Sequence, residues 1–344
     1  MLKQMRSRQT GPLLDSLASA VFRRYLRLYL SSGVVTFISM VLIRLRWIDL
    51  TTRTETLFAQ LIDWAKDFRH FSNPFLNLEG FWYPGVLSSR YLDPLWTIPV
   101  EYRGSLVLYL FCIAACKLST RKRMLVCLFL ILCCYNWAVV YPSLFLGGIF
   151  LADLSFTRHP ERLSPPPTLA QTSSDASRTP RQQTLRERIF YSCMLITSLF
   201  LLGQPSDDLS KAPWPWPHLN QLIPSQYDGS GMKEHFWLSI GSLMLVWSLD
   251  SFPSLQKPLK WNFSQYLGQI SFGIYAMHIM VISSLWRLVL NPWRLRLLGE
   301  AMWTYAPCML IFYVVVLWAA ELFTKLDTRV VNFGRWLEGR LFDH

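Results

Sequence analysis

Long apolar runs separated by basic connections are the feature that most constrains this chain of 344 residues. Its residues are 52% hydrophobic and 16% charged, a balance that is too apolar for an ordinary soluble domain and suits a chain surrounded by lipid. A helix needs about 20 residues to cross a hydrocarbon layer of roughly 30 Å, so each run can supply one span. The sequence therefore predicts an all-α, polytopic integral membrane protein that forms a single domain over residues 1–344. The eight predicted transmembrane helices lie near residues 26–45, 95–118, 124–140, 143–156, 189–203, 236–250, 266–288 and 303–324.

The 34 Lys and Arg residues lie mostly between the apolar runs and are concentrated in alternate connections. Because basic residues are retained on the cytoplasmic side of a membrane, this distribution predicts that both termini are cytoplasmic, in an endomembrane or the plasma membrane. The net charge of +12 does not indicate nucleic-acid binding, since the basic residues do not cluster on a water-facing surface beside stacking aromatics. Residues 157–188, rich in Pro, Ser, Thr and Arg, are predicted to form a disordered cytoplasmic loop.

Residue types that hold metals or form disulfides show no matching pattern. All seven cysteines fall within apolar runs, where they are expected to act as small buried hydrophobic residues. No paired zinc-ligand spacing, P-loop or Gly-x-Ser-x-Gly motif occurs in the sequence. We therefore predict neither a metal site nor a bound cofactor.

A carboxylate and a guanidinium interrupt the second apolar run, at Glu101 and Arg103. Ionisable groups at membrane depth are costly, so they are candidates for function by default. Asp93 and Pro94 form a good helix start, and Pro99 is expected to kink the helix before Glu101, near the non-cytoplasmic edge of the hydrocarbon layer. Residues two positions apart differ by roughly 200° around a helix, so Glu101 and Arg103 are not expected to face one cavity without a local break. The alternative is that both reach water and lipid headgroups.

A second polar group lies inside the seventh apolar run, at Gly268, Ser271, Tyr275 and His278. Spacings of three and four residues place these positions on one helix face, so the sequence predicts a polar stripe that faces protein. The imidazole of His278 can serve as a general acid or base near neutral pH. The alternative is a neutral histidine that forms hydrogen bonds between helices.

Three further carboxylates touch predicted spans. Glu321 and Lys325 are four residues apart, the usual spacing of an ion pair on a helix surface. Asp153 and Asp250 lie where their helices are predicted to leave the membrane, so helix capping or solvation is expected to account for them. None of the three indicates chemistry.

Two phrases carry a family resemblance. Leu-Trp-Thr-Ile-Pro-Val-Glu-Tyr-Arg-Gly-Ser-Leu at residues 95–106 and Gly-Gln-Ile-Ser-Phe-Gly-Ile-Tyr-Ala-Met-His at residues 268–278 resemble signatures of the acyltransferase 3 family of polytopic membrane acyltransferases, and the first phrase ends as in its fungal branch. The arginine-rich stretch at residues 23–28 is similar to one that precedes a span in the family. The resemblance implies transfer of an acyl group from acyl-CoA to a hydroxyl of a sugar, a lipid or a small molecule of secondary metabolism.

The motif match also implies roles for individual residues. Glu101 takes the place of the family's intramembrane glutamate, and His278 that of the histidine closing the second phrase, so both are expected to be catalytic. Either side chain could accept the hydroxyl proton. Arg103 is expected to steady negative charge on the thioester oxygen or on the CoA phosphates. The expected substrate-binding set is completed by Trp96, Tyr275 and Ser271.

One feature of the family is missing from the sequence. Family chains begin with a span that carries an arginine and, after ten further residues, the histidine regarded as the acyl-transfer histidine. None of the six histidines has Lys or Arg at that spacing. The chain therefore resembles a family member without its amino-terminal spans, and an inactive truncated relative stays open beside an active enzyme. A membrane transport or binding protein, whose polar residues line a path without making a bond, is a further hypothesis.

Overall fold

A computed structural model describes residues 1–7, 9–48, 52–74, 88–163, 184–206, 208–229 and 231–342. This part of the chain is helical and contains no β-strand, only one isolated β-bridge between Ser89 and Leu92. The predicted all-α class is therefore confirmed. A π-helical stretch covers Ile282–Leu290. The helices are α1 Leu2–Arg6, α2 Thr10–Arg44, α3 Leu57–Phe71, α4 Thr97–Ala115, α5 Thr120–Asn136, α6 Val140–Arg158, α7 Leu185–Leu202, α8 Trp216–Gln221, α9 His235–Ser251, α10 Asn262–Gln269, α11 Ser271–Val281, α12 Asn291–Leu297 and α13 Tyr305–Leu341.

Several helices are long and apolar enough to cross a membrane. Within the described residues, length and composition select five stretches, and α9 with Pro253–Lys260, bent by 100°, makes a sixth. The chain is therefore a polytopic integral membrane protein, but the predicted count of eight spans is not confirmed. Helices form at the two remaining predicted positions, yet α5 has only 17 residues and α7 begins with charged residues such as Arg186 and Glu187. The five stretches are Thr10–Arg44, Asp93–Ala115, Val140–Arg158, Ser271–Leu297 and Met302–Leu341.

The predicted loop at residues 157–188 begins and ends in regular structure. α6 continues to Arg158 and is followed by a 3-10 turn at Pro160–Leu163. At the other end, Thr184 and Glu187 form a capping box, in which each side chain accepts a hydrogen bond from the other residue's backbone N–H. The prediction of disorder is therefore wrong at both ends, and residues 164–183 lie outside the described residues.

Contacts divide the chain into two compact units. The first comprises Met1–Leu14 and Val107–Lys260, and the second comprises Asp15–Leu106 and Trp261–His344. In the first unit α6 packs on α5 and α9, and α9 also packs on α7. In the second unit α11 packs along α13. Both phrases that carry the family resemblance lie wholly in the second unit.

The first unit contains a buried ionic cluster. Asp153 of α6 is 2% exposed and accepts hydrogen bonds from Nε of Arg123 on α5 (2.7 Å) and from Nε of Arg6 on α1 (2.9 Å). Buried charges persist only when they are paired and hydrogen-bonded, and partners distant in sequence supply this pairing. The expectation that capping or solvation accounts for Asp153 is therefore wrong. Asp250 is partly exposed and pairs with Arg162 at 2.6 Å.

In the second unit α3 folds back along α2. The Arg44 guanidinium, at the end of α2, donates to a backbone carbonyl in the turn before α3 (3.0 Å), and the Tyr25 hydroxyl donates to the Ser72 carbonyl just after α3 (2.9 Å). Between these points Gly33 lets the two helices approach closely. A Cβ at Gly33 would lie 3.0 Å from the ring of Phe68. Small residues of this kind are typical of helix contacts in membranes.

α4 begins beside the later turns of α2 and runs antiparallel to it. The Ser39 hydroxyl donates to the Tyr91 carbonyl (2.7 Å), which places the segment just before α4 beside the later turns of α2. Further along α4, Glu101 meets Arg24 of α2, with 2.6 Å between Oε1 and Nη2. Arg24 belongs to the basic stretch that precedes the first predicted span. Glu101 therefore lies beside those arginines, so the predicted cytoplasmic position of the basic stretch and the predicted non-cytoplasmic position of Glu101 cannot both hold.

Pro99 lies in the first turn of α4. A 3-10 turn at Asp93–Trp96 leads into the helix at Thr97. The first N–H groups of a helix have no partner within it, so proline is tolerated there. The predicted interruption of the helix at Pro99 is therefore wrong. The predicted start near Asp93 is confirmed in position, although the N-cap is Leu92 rather than Asp93.

A helix break divides the predicted polar stripe at residues 268–278. α10 ends at Gln269 and α11 begins at Ser271, so Gly268 does not share one continuous helix with Tyr275. Gly268 faces open space, and the tight contact with α13 is made by Gly273. The expectation that Gly268 faces protein is therefore wrong, and the helix is interrupted at Ile270, between Gly268 and the rest of the predicted stripe.

We expect Gly273→Ala to destabilise the protein by about 1–3 kcal/mol, because the added methyl group overpacks the contact between α11 and α13. A Cβ at Gly273 would lie 2.4 Å from the carbonyl oxygen of Ala320. Gly268→Ala is the matched control, since a Cβ there meets nothing within 4 Å and alanine favours a helix over glycine by roughly 0.5–1 kcal/mol. Thermal unfolding in detergent micelles measures both variants. Equal shifts of Tm in the same direction would contradict the packing argument.

Candidate active site

A cavity of about 350 Å³ opens in the second unit between residues of α2, α4 and α11. Its polar groups are two guanidiniums, one carboxylate and three hydroxyls, set among apolar side chains. Both phrases that carry the family resemblance contribute to its wall. The lining residues are Arg24, Arg27 and Leu28 of α2, Thr97, Ile98 and Glu101 of α4, and Ser271, Phe272 and Tyr275 of α11.

Arg24 binds the start of α4 at two points. Its Nη2 donates to Oε1 of Glu101 at 2.6 Å, and its Nε donates to Oγ of Ser105 at 3.1 Å. The Ser105 hydroxyl in turn donates to the backbone carbonyl of Glu101 (2.7 Å). The Glu101 side chain is still 44% exposed, so the ion pair fixes its position and leaves it accessible from the cavity.

Arg27 lines the same cavity without a partner. Among the residues that the structure describes, no hydrogen bond or ion pair reaches its guanidinium, and the residue is exposed. A planar guanidinium with free N–H groups matches carboxylate and phosphate oxygens. Arg27 is therefore available for an anionic ligand.

Tyr275 joins α11 to the start of α4. Its hydroxyl donates to the Pro94 carbonyl and accepts from the Thr97 hydroxyl, 2.6 Å away. One helical turn later, Nδ1 of His278 lies 2.7 Å from the Tyr275 carbonyl oxygen. A carbonyl oxygen only accepts, so this contact assigns the hydrogen to Nδ1 and leaves Nε2 as the basic nitrogen.

Three of the predicted site residues line the cavity and three do not. Glu101, Ser271 and Tyr275 are on its wall, whereas His278 is not. Arg103 is 5% exposed, and its Nε donates to a backbone carbonyl at position 74 (2.9 Å). Trp96 lies in the 3-10 turn before α4. Glu101 and Arg103 thus point to different surroundings, as their angular separation predicts.

Sequence reasoning missed three polar lining residues, namely Arg24, Arg27 and Thr97. The signal for the two arginines is the basic stretch at residues 23–28, which supports the family resemblance but could also have served only as a positive flank of the first span. Thr97 lies within the first motif phrase, one helical turn before Glu101. Its partner Tyr275 is supplied by the second phrase.

A polar cluster on α3 fixes the segment that leads into α4. Arg90 donates to Asp63 (2.9 Å) and to Asp67 (3.2 Å), and the Tyr91 hydroxyl donates to Asp63 (2.8 Å). Burial opposes ionisation of Asp63, but the hydrogen bonds from Tyr91 and Arg90 outweigh it and lower the pKa of this carboxyl. Burial and the adjacent Asp63 raise the pKa of Tyr91, which keeps its hydroxyl protonated as a donor. The cluster thereby holds the chain just before Thr97 and Glu101.

Metal-ligating side chains do not gather in the described part of the chain. No group of three or more His, Cys, Asp or Glu there could hold a metal ion. All seven cysteines are free thiols, and most of them are buried or half-buried as predicted, with Cys193 the exposed exception.

Comparison with known families identifies the class of protein. A family model described as an acyltransferase domain, of acyltransferase 3 type, matches residues 11–322 and therefore most of the chain. The chain belongs to the acyltransferase 3 family. This membership places it among membrane acyltransferases and confirms the resemblance carried by residues 95–106 and 268–278.

Three fungal relatives support the assignment. The chain is 24% identical to O-acetyltransferase PaAT-1 of Phomopsis amygdali, with 99% of this chain and 71% of the relative aligned. It is 24% identical to acyltransferase R4 of a Phoma species (79% of this chain, 60% of the relative) and 23% identical to acyltransferase clz18 of Cochliobolus lunatus (70% and 48%). The aligned parts thus cover less than two thirds of the latter two relatives. No solved structure matches the chain significantly.

Proposed function

We propose that this membrane acyltransferase moves an acyl group from acyl-CoA to a hydroxyl of a small molecule, sugar or lipid in the cavity beside Glu101. The observation that carries the proposal is the accessible Glu101 carboxylate, held by Arg24 at 2.6 Å in a cavity that also presents hydroxyl groups and the unpartnered Arg27. One relative is named an O-acetyltransferase, which agrees with an oxygen acceptor and a short acyl group. A product of secondary metabolism would be such an acceptor.

The cavity size suits the reacting ends of the two substrates. Ligand cavities commonly measure roughly 300–1,000 Å³, so about 350 Å³ accommodates a short acyl group and one acceptor hydroxyl. The anionic part of acyl-CoA then lies outside, toward the arginines of α2. With both termini cytoplasmic, this end of the second unit faces the compartment that holds acyl-CoA, in an endomembrane or the plasma membrane.

The proposed reaction is a direct acyl transfer. The acceptor oxygen attacks the thioester carbonyl carbon while Glu101 takes the hydroxyl proton. The carbon–sulfur bond then breaks, the electron pair leaves on sulfur, and the proton passes from Glu101 to that sulfur. The products are an ester and the free thiol of CoA. N–H groups of Arg24, which lies beside Glu101, stabilise the negative charge that develops on the carbonyl oxygen.

His278 and Arg103 have supporting roles in this proposal. His278 is a positioning residue, because its Nδ1–H donates to the Tyr275 carbonyl and it is not on the cavity wall. Arg103 holds the backbone at position 74 rather than substrate. Trp96 precedes the helix that carries Glu101, and Tyr275 and Ser271 contact the acceptor.

Membranes from a host that expresses the chain test the proposal. With acetyl-CoA labelled in the acetyl group, we expect label in a hydroxyl-bearing acceptor and release of one CoA thiol per acetyl transferred. A folded chain that releases neither product with acyl-CoA and a panel of hydroxyl acceptors would contradict it, and would favour an inactive relative.

A transport or binding protein is the second candidate. The break between α10 and α11, close to polar residues such as Ser271, resembles the discontinuous helices that line substrate paths in transporters. Sealed vesicles distinguish the two functions. Uptake of an unmodified labelled solute without release of CoA thiol would support transport and reject acyl transfer.

A further inference from the structure

A second polar cavity, a groove between α2 and α13, lies in the second unit and encloses about 210 Å³. Ala20 on α2 and Gly334 on α13 are the small residues that line it. Four arginines surround it, and two of them also line the cavity that contains Glu101. We call this the α2/α13 groove, defined by Ala20, Arg23, Arg24, Arg27, Val330, Val331, Gly334 and Arg335.

The arginines of the groove carry more positive charge than the neighbouring carboxylates neutralise. Arg23 pairs with Glu338 at 3.0 Å, and Arg24 pairs with Glu101. Arg27 and Arg335 have no ion-pair or hydrogen-bond partner within the described ranges. The groove therefore presents two free guanidiniums, which match a phosphate group in charge and geometry.

One further carboxylate faces α2 from α13. Asp327 accepts a hydrogen bond from the Ser31 hydroxyl at 2.5 Å, one helical turn beyond Arg27. No ion pair joins Asp327 to Arg27 or Arg335 in the described part of the chain. Asp327 thus reduces the net positive charge near the groove but forms no ion pair with either arginine.

The position of the groove indicates what kind of phosphate it binds. Arg27 adjoins position 26, where the first span is predicted to begin, so its guanidinium lies where a membrane has its headgroups. Val330 and Val331 line the groove, and Leu326, one turn closer to the predicted span of α13, is 39% exposed. An apolar path therefore leads from the arginines along α13 into the hydrocarbon layer.

We propose that the α2/α13 groove binds the phosphate of an anionic membrane phospholipid, with Arg27 and Arg335 as its cationic partners and the acyl chains lying along α13. Basic pockets between transmembrane helices bind lipid headgroups in this way. The groove goes beyond the proposed function but shares Arg24 and Arg27 with the Glu101 cavity, whereas Arg335 belongs to the groove and does not line that cavity. A soluble phosphate presents the same anionic group to the arginines but has no acyl chains to lie along α13.

Thermal unfolding of the purified full chain in detergent tests the proposal. Titration with dioleoylphosphatidylglycerol is expected to raise Tm, and dioleoylphosphatidylcholine to raise it less at equal concentration. Arg335→Gln should weaken the response to the anionic lipid about fivefold, the effect of one basic residue at a lipid surface. Arg329→Gln, exposed on the same helix and outside the groove, should change it less than twofold.

A second pair of variants tests the groove by its volume. Gly334→Leu should fill the groove and remove most of the lipid response, whereas Gly339→Leu should preserve that response. The two variants are matched because a Cβ meets nothing within 4 Å at either glycine. Inorganic pyrophosphate is the soluble probe. The proposal would be overturned if the two lipids raised Tm equally, or if Arg335→Gln and Arg329→Gln changed the lipid response equally. It would also be overturned if pyrophosphate raised Tm as much as the anionic lipid, with the same dependence on Arg335.

Discussion

Glu101→Gln is expected to lower the rate of acyl transfer by roughly 10²–10⁴-fold, the usual contribution of a general base. Glutamine keeps the shape of the side chain and can still accept a hydrogen bond from Arg24, but it cannot take the acceptor proton. Because the Glu101 side chain is 44% exposed, loss of its ion pair should change stability by no more than about 1 kcal/mol. Label transfer from acetyl-CoA and thermal unfolding measure the two effects separately.

Glu321→Gln is the matched control for this substitution. Glu321 pairs with Lys325 at 3.2 Å on the surface of α13, as its i to i+4 spacing predicts, and is similarly exposed at 46%. It does not line the Glu101 cavity. We expect transfer within about twofold of wild type, as for a surface ion pair of little energetic weight. Equal losses in the two variants, or unchanged transfer in Glu101→Gln, would reject Glu101 as the base.

Asp153→Asn is expected to destabilise the first unit by about 3–5 kcal/mol, because it leaves buried guanidinium charge without its counterion. Arg123 is 1% exposed, and its Nε and Nη2 both donate to the Asp153 carboxylate, at 2.7 and 2.9 Å. Arg6 donates a third bond at 2.9 Å. Unfolding by increasing sodium dodecyl sulfate in mixed micelles measures the loss.

Asp250→Asn provides the comparison in the same unit. Asp250 pairs with Arg162 at 2.6 Å, but both side chains are more than a third exposed. Solvent screens such a pair, so the loss should be below about 1 kcal/mol. A loss for Asp153→Asn as small as that for Asp250→Asn would show that burial does not strengthen the cluster around Asp153.

The sequence was sufficient to predict the helical membrane class, the family and half of the proposed site. Apolar run length and basic connections are local properties, so they predict the helices even where α5 and α7 prove too short or too charged to meet the criterion for a span. The motif phrases likewise identify Glu101 and Tyr275, which the structure brings to one cavity.

Failures of the sequence-based predictions share one physical cause, which is pairing between distant residues. The position of Glu101 depends on α3 folding back along α2, and the sequence of residues 95–106 does not predict that arrangement. The burial of Asp153 depends on Arg6 and Arg123, which lie far away in the sequence. The partners of Arg103 and the break between α10 and α11 are likewise tertiary features that local spacing does not encode.

Transfer of labelled acetyl by Ser271→Trp tests most directly whether the reaction occurs in the Glu101 cavity. Ser271 is exposed on the cavity wall at the start of α11, so an indole there should fill the space and reduce transfer by at least about a hundredfold through displacement of substrate. Ser271→Ala keeps the space open and should lose no more than about tenfold, the value of one hydrogen bond. Folded Ser271→Trp protein that transfers acetyl as fast as Ser271→Ala would show that the acyl group is transferred elsewhere.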